Sequence, residues 1–292
     1  MGYEVNNAVI MAAGTASRFA PLSFEKPKAL IEVRGEILIE RQIRQLLEAG
    51  INEIILVVGY KWETFSYLKD KYGVKIVENK EYLTRNNNGS IYAVRDFLKN
   101  TYICSSDNYF IRNPFEKEVD ESYYASIYVP GKTDEWCIYT DENDYINDVK
   151  IGGENAWIMM GHTFWSEDFS NQFIKILESV YHKEETRDLL WESILIDHLQ
   201  ECKMKIKKYP SNVIFEFDTL DELRQFDSSY VKDTRSSIIK DISKRLKCLE
   251  SDIVNLRTIK DFDNEAIGFS FRVKEELFEY RYTTGEWKKV YE

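Results

Sequence analysis

The sequence predicts an α/β fold, a doubly wound and mainly parallel mixed sheet followed by a small α+β appendage. Three observations carry that expectation. Short apolar runs that stop at glycine or serine alternate with amphipathic stretches over the first hundred residues; from Tyr123 the pattern becomes richer in β segments; and beyond residue 230 it changes again.

The elements follow in order. Ala8 to Ala13 (AVIMAA) is an apolar run broken by Gly14, as expected of a buried parallel strand leaving a sheet. Ile37 to Glu48 places Leu38, Ile43, Leu46 and Leu47 near one helical face, ends at Gly50, and leads into the strand-like run Ile54 to Val58 and Gly59, which makes a βαβ unit. Tyr60 to Lys71 reads as a helix, Val74 to Val77 as a strand, Ile91 to Leu98 as a helix, and Tyr102 to Cys104 as a strand ending at Ser105, Ser106 and Asp107. Ligands of such sheets sit at the carboxyl ends of the strands, where Gly14 and Asp107 both fall. Tyr124 to Val129, Trp136 to Tyr139 and Ala156 to Phe164 read as strands, Phe169 to Tyr181 and Asp188 to Leu199 as helices. Val213 to Phe217 is a short strand before a helix, Thr219 to Phe226, capped by Asp218 or Thr219. The main domain is expected to span 1–230. The appendage, 231–292, reads as an amphipathic helix over 231–250 and a hairpin of Phe269 to Val273 with Leu277 to Tyr282.

The chain has 292 residues, 43% of them hydrophobic, enough for a large core. Fifty acidic against 39 basic residues give a net charge of -11, and no Lys/Arg block matches a nucleic-acid backbone, so nucleic acid is not an expected partner. Cys104, Cys137, Cys202 and Cys248 lie far apart with no C-x-x-C pair, which argues against a structural zinc site and suits a reducing, cytoplasmic location. No apolar run approaches the roughly 20 residues that cross a bilayer, and no basic-then-apolar leader opens the chain. His162, His182 and His198 have no spaced partner and are read as structural or surface residues.

Chemistry concentrates in MAAGTASRFAPLSFEKPKAL. A strand ending in small residues and glycine lets backbone N–H groups wrap a triphosphate while a nearby Arg and Lys neutralise it. The expected nucleotide loop is Ala12, Ala13, Gly14, Thr15, Ala16 and Ser17, with Arg18 on the β and γ phosphates and Lys28 on the reacting α-phosphate or on the attacking phosphate. Asp107, at a strand end, is placed to hold Mg²⁺, which takes few carboxylates alongside phosphate oxygens and water. Asp218 is the expected second ligand; Glu216 is the alternative, for metal or for a cationic substrate group.

The twenty-residue run resembles the N-terminal motif of the sugar-phosphate and alcohol-phosphate nucleotidyltransferases, approximately L-A-A-G-x-G-[ST]-R, P-L-[ST] and P-K-A-L, which implies a Rossmann-like, glycosyltransferase-A-like nucleotidyltransferase sheet. Ala16 stands at the family's second glycine, which a methyl group tolerates with a negative φ. With VGYKWETFSYLKDKYGVKIVEN, NNNGSIYAV, SSDNY, DEWCIY, HTFW and DLLWES, the chain from about residue 8 to about residue 227 resembles the bacterial CTP:phosphocholine cytidylyltransferases. That resemblance implies a Mg²⁺-dependent transfer of CMP from CTP to phosphocholine, giving CDP-choline and pyrophosphate. It places Asn86, Asn87, Ser90 and Tyr92 against the base, and makes Trp136 and Trp191 aromatic walls for the trimethylammonium group, with Asp188 and Glu192 as counter-charges. Leu190 departs from a tyrosine in that pattern, so a wall is either absent or supplied by Tyr139 or Phe164.

The alternatives are a 2-aminoethylphosphonate cytidylyltransferase, a sugar-1-phosphate nucleotidyltransferase and a non-catalytic nucleotide-binding scaffold. The stretch ESDIVNLRTIKDFDNEAIGFSFRVKEELFEYRYTTGEW resembles the start of a choline kinase amino-terminal lobe, without a glycine-rich loop or a catalytic loop. Packing or formation of a homodimer is its expected role.

Overall fold

Asn7–Ala12 forms the first strand (β1), pairing in parallel with Glu53–Val58 (β2) on one side and Thr101–Ser105 (β4) on the other. Lys75–Glu78 (β3) extends the parallel set beyond β2. With neighbours on both edges, β1 buries nearly every side chain, which is why it reads as an unbroken apolar run. The computed structural model describes residues 2–263 and 265–291. Two further long strands, Tyr123–Thr140 (β5) and Ile146–Trp165 (β6), form an antiparallel ribbon, and Lys205–Tyr209 (β7) lies parallel to β5. The order across this seven-stranded mixed sheet is β7-β5-β6-β4-β1-β2-β3.

The helices of this unit are Leu38–Glu48 (α1), Tyr67–Tyr72 (α2), Asn88–Ala93 (α3), Glu167–Val180 (α4) and Trp191–Ile196 (α5). The α4 helix opens on Ser166, whose hydroxyl accepts from the Phe169 N–H, an N-cap worth about 1 kcal/mol. Its Phe169, Phe173, Ile176 and Leu177 pack into one core with Val9, Ile55, Ile103, Tyr124, Trp165 and Trp191.

Two compact units make up the chain, Met1–Gly14 with Leu38–Glu216, and Thr15–Ile37 with Phe217–Glu292. The second unit contains the helices Leu220–Phe226 (α6) and Ser237–Leu246 (α7), and an antiparallel sheet of Ile253–Lys260 (β8), Ala266–Val273 (β9), Glu276–Arg281 (β10) and Glu286–Val290 (β11). Phe269, Phe271, Phe278 and Tyr280 form its aromatic core. Among the described residues no helix is long and apolar enough to cross a membrane.

Several expectations change. The helix read over Tyr60 to Lys71 is broken, because Lys61 is left-handed (φ 50°) and Trp62–Phe65 winds as a tighter 3₁₀ turn before α2. The helix over Ile91 to Leu98 starts earlier and ends at Ala93, followed by a 3₁₀ turn at Arg95–Phe97. The separate strands read over 124–129 and 136–139 are one strand, which runs through Pro130 and Gly131 with a shift of register between Val129 and Lys132. The amphipathic helix read over 231–250 is shorter, Ser237–Leu246, and the hairpin is the centre of a four-stranded sheet.

Candidate active site

In the first unit the site begins at the carboxyl edge of the parallel strands. Because β1 and β4 run side by side with Met11 opposite Ser105, the Ala13–Gly14 exit and the Ser105–Asn108 turn leave from the same edge. Tyr60 N–H donates to the Ala13 carbonyl at 3.0 Å. Gly59 is required there, since a Cβ on it would lie 2.9 Å from the Ala13 carbonyl oxygen and 2.7 Å from the Tyr82 ring.

The turn bearing Asp107 is held by its own SSDNY residues together with Gln42 and Gly161, which no motif singles out. The Gln42 side chain donates to the Ser105 carbonyl at 3.1 Å, and Ser106 N–H donates to the Met11 carbonyl at 3.3 Å. The Asn108 side-chain amide donates to the Met160 and Gly161 carbonyls at 3.1 and 3.3 Å. Gly161 has φ 57°, and a Cβ there would stand 2.6 Å from Ser105 Oγ, so only glycine lets β6 press so closely on this turn. The signal for Gly161 in the sequence is one glycine inside a strand pattern.

The three consecutive asparagines lock one segment to another. Asn86 donates to the Asp188 carbonyl at 2.9 Å and receives its own turn bond from the backbone, while the Asn88 side-chain amide donates to the Thr186 and Leu189 carbonyls. Asn87 Oδ1 accepts from Trp191 N–H at 2.7 Å and its Nδ2 donates to Glu192 Oε2 at 3.0 Å. Both ends of that amide are therefore engaged within the protein. Ser90 is buried and accepts from Asn79 Nδ2 at 3.2 Å.

Glu192 is buried with Tyr124 donating to its other oxygen at 3.2 Å. Burial outweighs these hydrogen bonds and raises its carboxyl from 4.5 to about 7. Trp191 is 1% exposed, with its ring among Tyr124, Trp165 and Phe173. Its ring thus stands in the core, and what it presents toward Asn87 is its backbone N–H. Trp136 is half-buried on β5, and Asp188 and Glu216 are exposed. His162 is fully buried, its Nε2 3.1 Å from the Tyr123 hydroxyl, and burial depresses it to about 3, so it is a neutral core histidine.

The second unit gathers the charges. Asp218 accepts an ion pair from Arg18 at 2.8 Å, and the Lys28 ammonium stands 3.6 Å from its other oxygen. Lys28 is only 7% exposed and lies 5.6 Å from the centre of the Phe19 ring. Of the two candidate caps, Thr219 caps α6, accepting from Glu222 N–H, while Asp218 N–H donates to Glu222 Oε2. Ala16 is left-handed, with φ 47° and ψ 44°, so the negative φ expected of it is corrected: the residue holds a backbone shape that favours glycine and bears the steric cost. Asp107 stands in the first unit, and Arg18, Lys28 and Asp218 in the second.

The mixed, mainly parallel sheet with its strand exit through Ala-Ala-Gly is that of a nucleotidyltransferase. Residues 8–203 match the family described as the MobA-like NTP transferase domain, and the chain belongs to that family. It is 34% identical over 220 residues to a choline-phosphate cytidylyltransferase of Streptococcus pneumoniae, covering 75% of this chain and 96% of the relative. It is 35% identical over 237 residues to a 2-aminoethylphosphonate cytidylyltransferase of Lancefieldella rimae, covering 80% and 96%. The solved structure of the CTP:phosphocholine cytidylyltransferase from Streptococcus pneumoniae matches with a TM-score of 0.74 over 78% of this chain and 99% of that one.

Proposed function

We propose that this enzyme transfers CMP from CTP to phosphocholine, releasing pyrophosphate. What carries the reading is Lys28, drawn into a nearly closed position beside Asp218 and Arg18, in a chain that spans 96% of a choline-phosphate cytidylyltransferase. A phosphate oxygen of the acceptor attacks the α-phosphorus. The new P–O bond forms as the α–β anhydride breaks, and the electron pair leaves with pyrophosphate. The attacking oxygen is already anionic at neutral pH, so no general base is needed, and catalysis rests on positioning and charge neutralisation. In this proposal Ala12 to Ser17 cradle the phosphates by their N–H groups, Arg18 neutralises the departing pyrophosphate, and Lys28 neutralises the α-phosphate.

Asp107 and Asp218 supply hard carboxylate oxygens, and among the described residues no group of three or more His, Cys, Asp or Glu side chains is placed to hold a metal by itself. In this proposal each aspartate contributes a carboxylate oxygen to a cation shared with substrate phosphates, as Mg²⁺ prefers. When bound it would add positive charge at the triphosphate.

For the acceptor, the proposal assigns Trp136, Asp188, Glu192 and Glu216 to the cationic group, with Trp191 acting through its backbone and the Asn87–Glu192 network. Asn87 and Ser90 support the base-facing segment from within. A second reading, 2-aminoethylphosphonate as acceptor, is favoured by one observation: the Trp191 ring is used in the core, which leaves fewer aromatic faces for a trimethylammonium group, whereas a primary ammonium wants carboxylates. Four cysteines without disulfides suit a cytoplasmic enzyme.

The test is pyrophosphate release with Mg²⁺, crossing CTP and UTP with phosphocholine, 2-aminoethylphosphonate and a hexose 1-phosphate. Release with CTP and phosphocholine is expected. Release only with the phosphonate transfers the reading to the second acceptor, and release with none leaves a nucleotide-binding scaffold.

A further inference from the structure

The second unit does more than follow the transferase chain. Residues between Asp227 and Tyr282 grip the segment that carries Ser17, Arg18 and Lys28 at several points. The Thr258 hydroxyl on β8 donates to the Ser17 carbonyl, across 241 positions of sequence. Phe24 stacks on Tyr282 with centroids 3.8 Å apart and planes 3° from parallel. The N–H of Ser237, at the start of α7, donates to Glu25 Oε1 at 2.7 Å, and its hydroxyl donates to the same oxygen. Further along, Arg34 N–H donates to Asp227 at 2.7 Å and the Tyr230 hydroxyl donates to the Glu32 carbonyl at 2.6 Å.

The same body holds the other partner of the charge cluster. Arg224 of α6, six residues after Asp218, is buried and donates to the Ile253 and Glu250 carbonyls at 2.7 Å each. Asn255 N–H donates to Asp221 at 2.9 Å. So β8 is fastened at its start to the helix behind Asp218, and further along it bonds Ser17, next to Arg18. Two charged groups that must keep their separation are thereby tied to one strand.

We propose that the C-terminal sheet positions the nucleotide loop, with Thr258 as the positioning residue for Ser17 and Arg18. This rests on the nucleotidyltransferase reading for its consequence, though not for its geometry. The Ser17 carbonyl is a backbone acceptor in a loop whose N–H groups must face a triphosphate. Fixing the carbonyl fixes the peptide plane, and so the direction of the Arg18 N–H that shares it. The match to the family model, residues 8–203, ends before any of these gripping residues.

The experiment uses the full chain with Thr258→Val, which removes the hydroxyl at nearly constant volume, and Thr258→Ser, which restores it. The expected result for Thr258→Val is a KM for CTP raised about 3- to 10-fold, the size of one lost hydrogen bond. The acceptor KM should be close to that of the parent and the melting temperature lower by only about 2–4 °C, and Thr258→Ser should recover most of both losses. Hydrogen exchange of the peptide spanning residues 15–25, without nucleotide, should rise in Thr258→Val and return in Thr258→Ser. Unchanged exchange in a folded Thr258→Val protein overturns the brace, whatever the activity. Raised exchange in a protein whose parent releases no pyrophosphate keeps the brace and removes the transferase reading instead. Should Thr258→Val unfold, Tyr282→Leu, which removes the stack on Phe24, replaces it with the same two readouts and the same overturning result.

Discussion

The Asn87–Glu192 network and the Arg18–Lys28–Asp218 cluster hold charge in opposite ways. Around Glu192 a carboxyl is buried among Asn87, Tyr124 and Trp191, with no cation bonded to it among the described residues, and low polarity drives its proton affinity up to about 7. Around Asp218 a carboxylate meets two cations, and Arg18 has 75% of its side chain in solvent. The first arrangement stores charge that appears only when the pH or a cationic ligand demands it. The second keeps charge always present and ready to be exchanged for phosphate oxygens. In the proposed reaction the first would meet the ammonium group of the acceptor and the second the triphosphate.

The largest effect expected from breaking this contrast is at Lys28. Its ammonium is nearly closed off from water, where a charge acts with little screening. Lys28→Ala is expected to lower turnover by about 10²- to 10³-fold, the range seen when one preorganised charge-stabilising donor is lost. Pyrophosphate release with CTP and the acceptor checks it, alongside circular dichroism for the fold. Near-parental turnover would make Lys28 a packing residue of the second unit.

Glu192 comes next, and it separates stability from recognition. A carboxyl that holds its proton more tightly folded than unfolded stabilises the protein below its ordinary value near 4.5 and loses that contribution as the pH rises through about 7. The span corresponds to on the order of 3 kcal/mol. Glu192→Gln should flatten this slope, so urea midpoints at pH 8 rise relative to the parent while those at pH 5 stay close. If the ionised carboxylate also serves the cationic acceptor, the acceptor KM of the parent falls as the pH rises through 7, and in Glu192→Gln it stays high throughout. A flattened stability slope with an unchanged KM would confine Glu192 to the packing of α5.

The two regions were unequally legible in the sequence. Arg18, Lys28 and Asp218 stand out because phosphate chemistry needs those residue types beside a small-residue strand exit, and local pattern marked the strand and the loop. β1, α1 and the strand that ends before Asp107 were legible for the same reason: each is marked by residues within a dozen positions. The long ribbon of β5 and β6 was not, since Pro130, Gly131, Gly152 and Gly153 interrupt its alternation while the cross-strand pairing carries through. Nor was the placement of Trp191, because an aromatic beside two acids reads alike as a cage wall or a core ring until its neighbours Trp165 and Phe173 are known. Gln42, Gly161 and Thr258 act through partners 63, 56 and 241 positions away, and no local pattern announces such contacts.

The smallest expected effect lies in the backbone beside the charge cluster. Ala16 holds φ 47°, a left-handed shape that costs an alanine about 1–2 kcal/mol. Glycine adopts it freely, but loses about 0.4–1 kcal/mol more entropy on folding. The steric term is the larger, so Ala16→Gly should stabilise the chain by about 0.5 kcal/mol, or roughly 1–2 °C in melting temperature for a protein of this size. The loop that Thr258 braces is then carried by a freer residue, and the KM for CTP separates two outcomes. An unchanged KM means that the hydrogen bond to Ser17, not the stiffness of Ala16, sets the loop. A higher KM in the more stable protein means that the methyl group restricts the loop to its nucleotide-binding shape and that the strain at residue 16 is retained for binding. A lower melting temperature would show that the Ala16 methyl makes packing contacts worth more than the strain it bears.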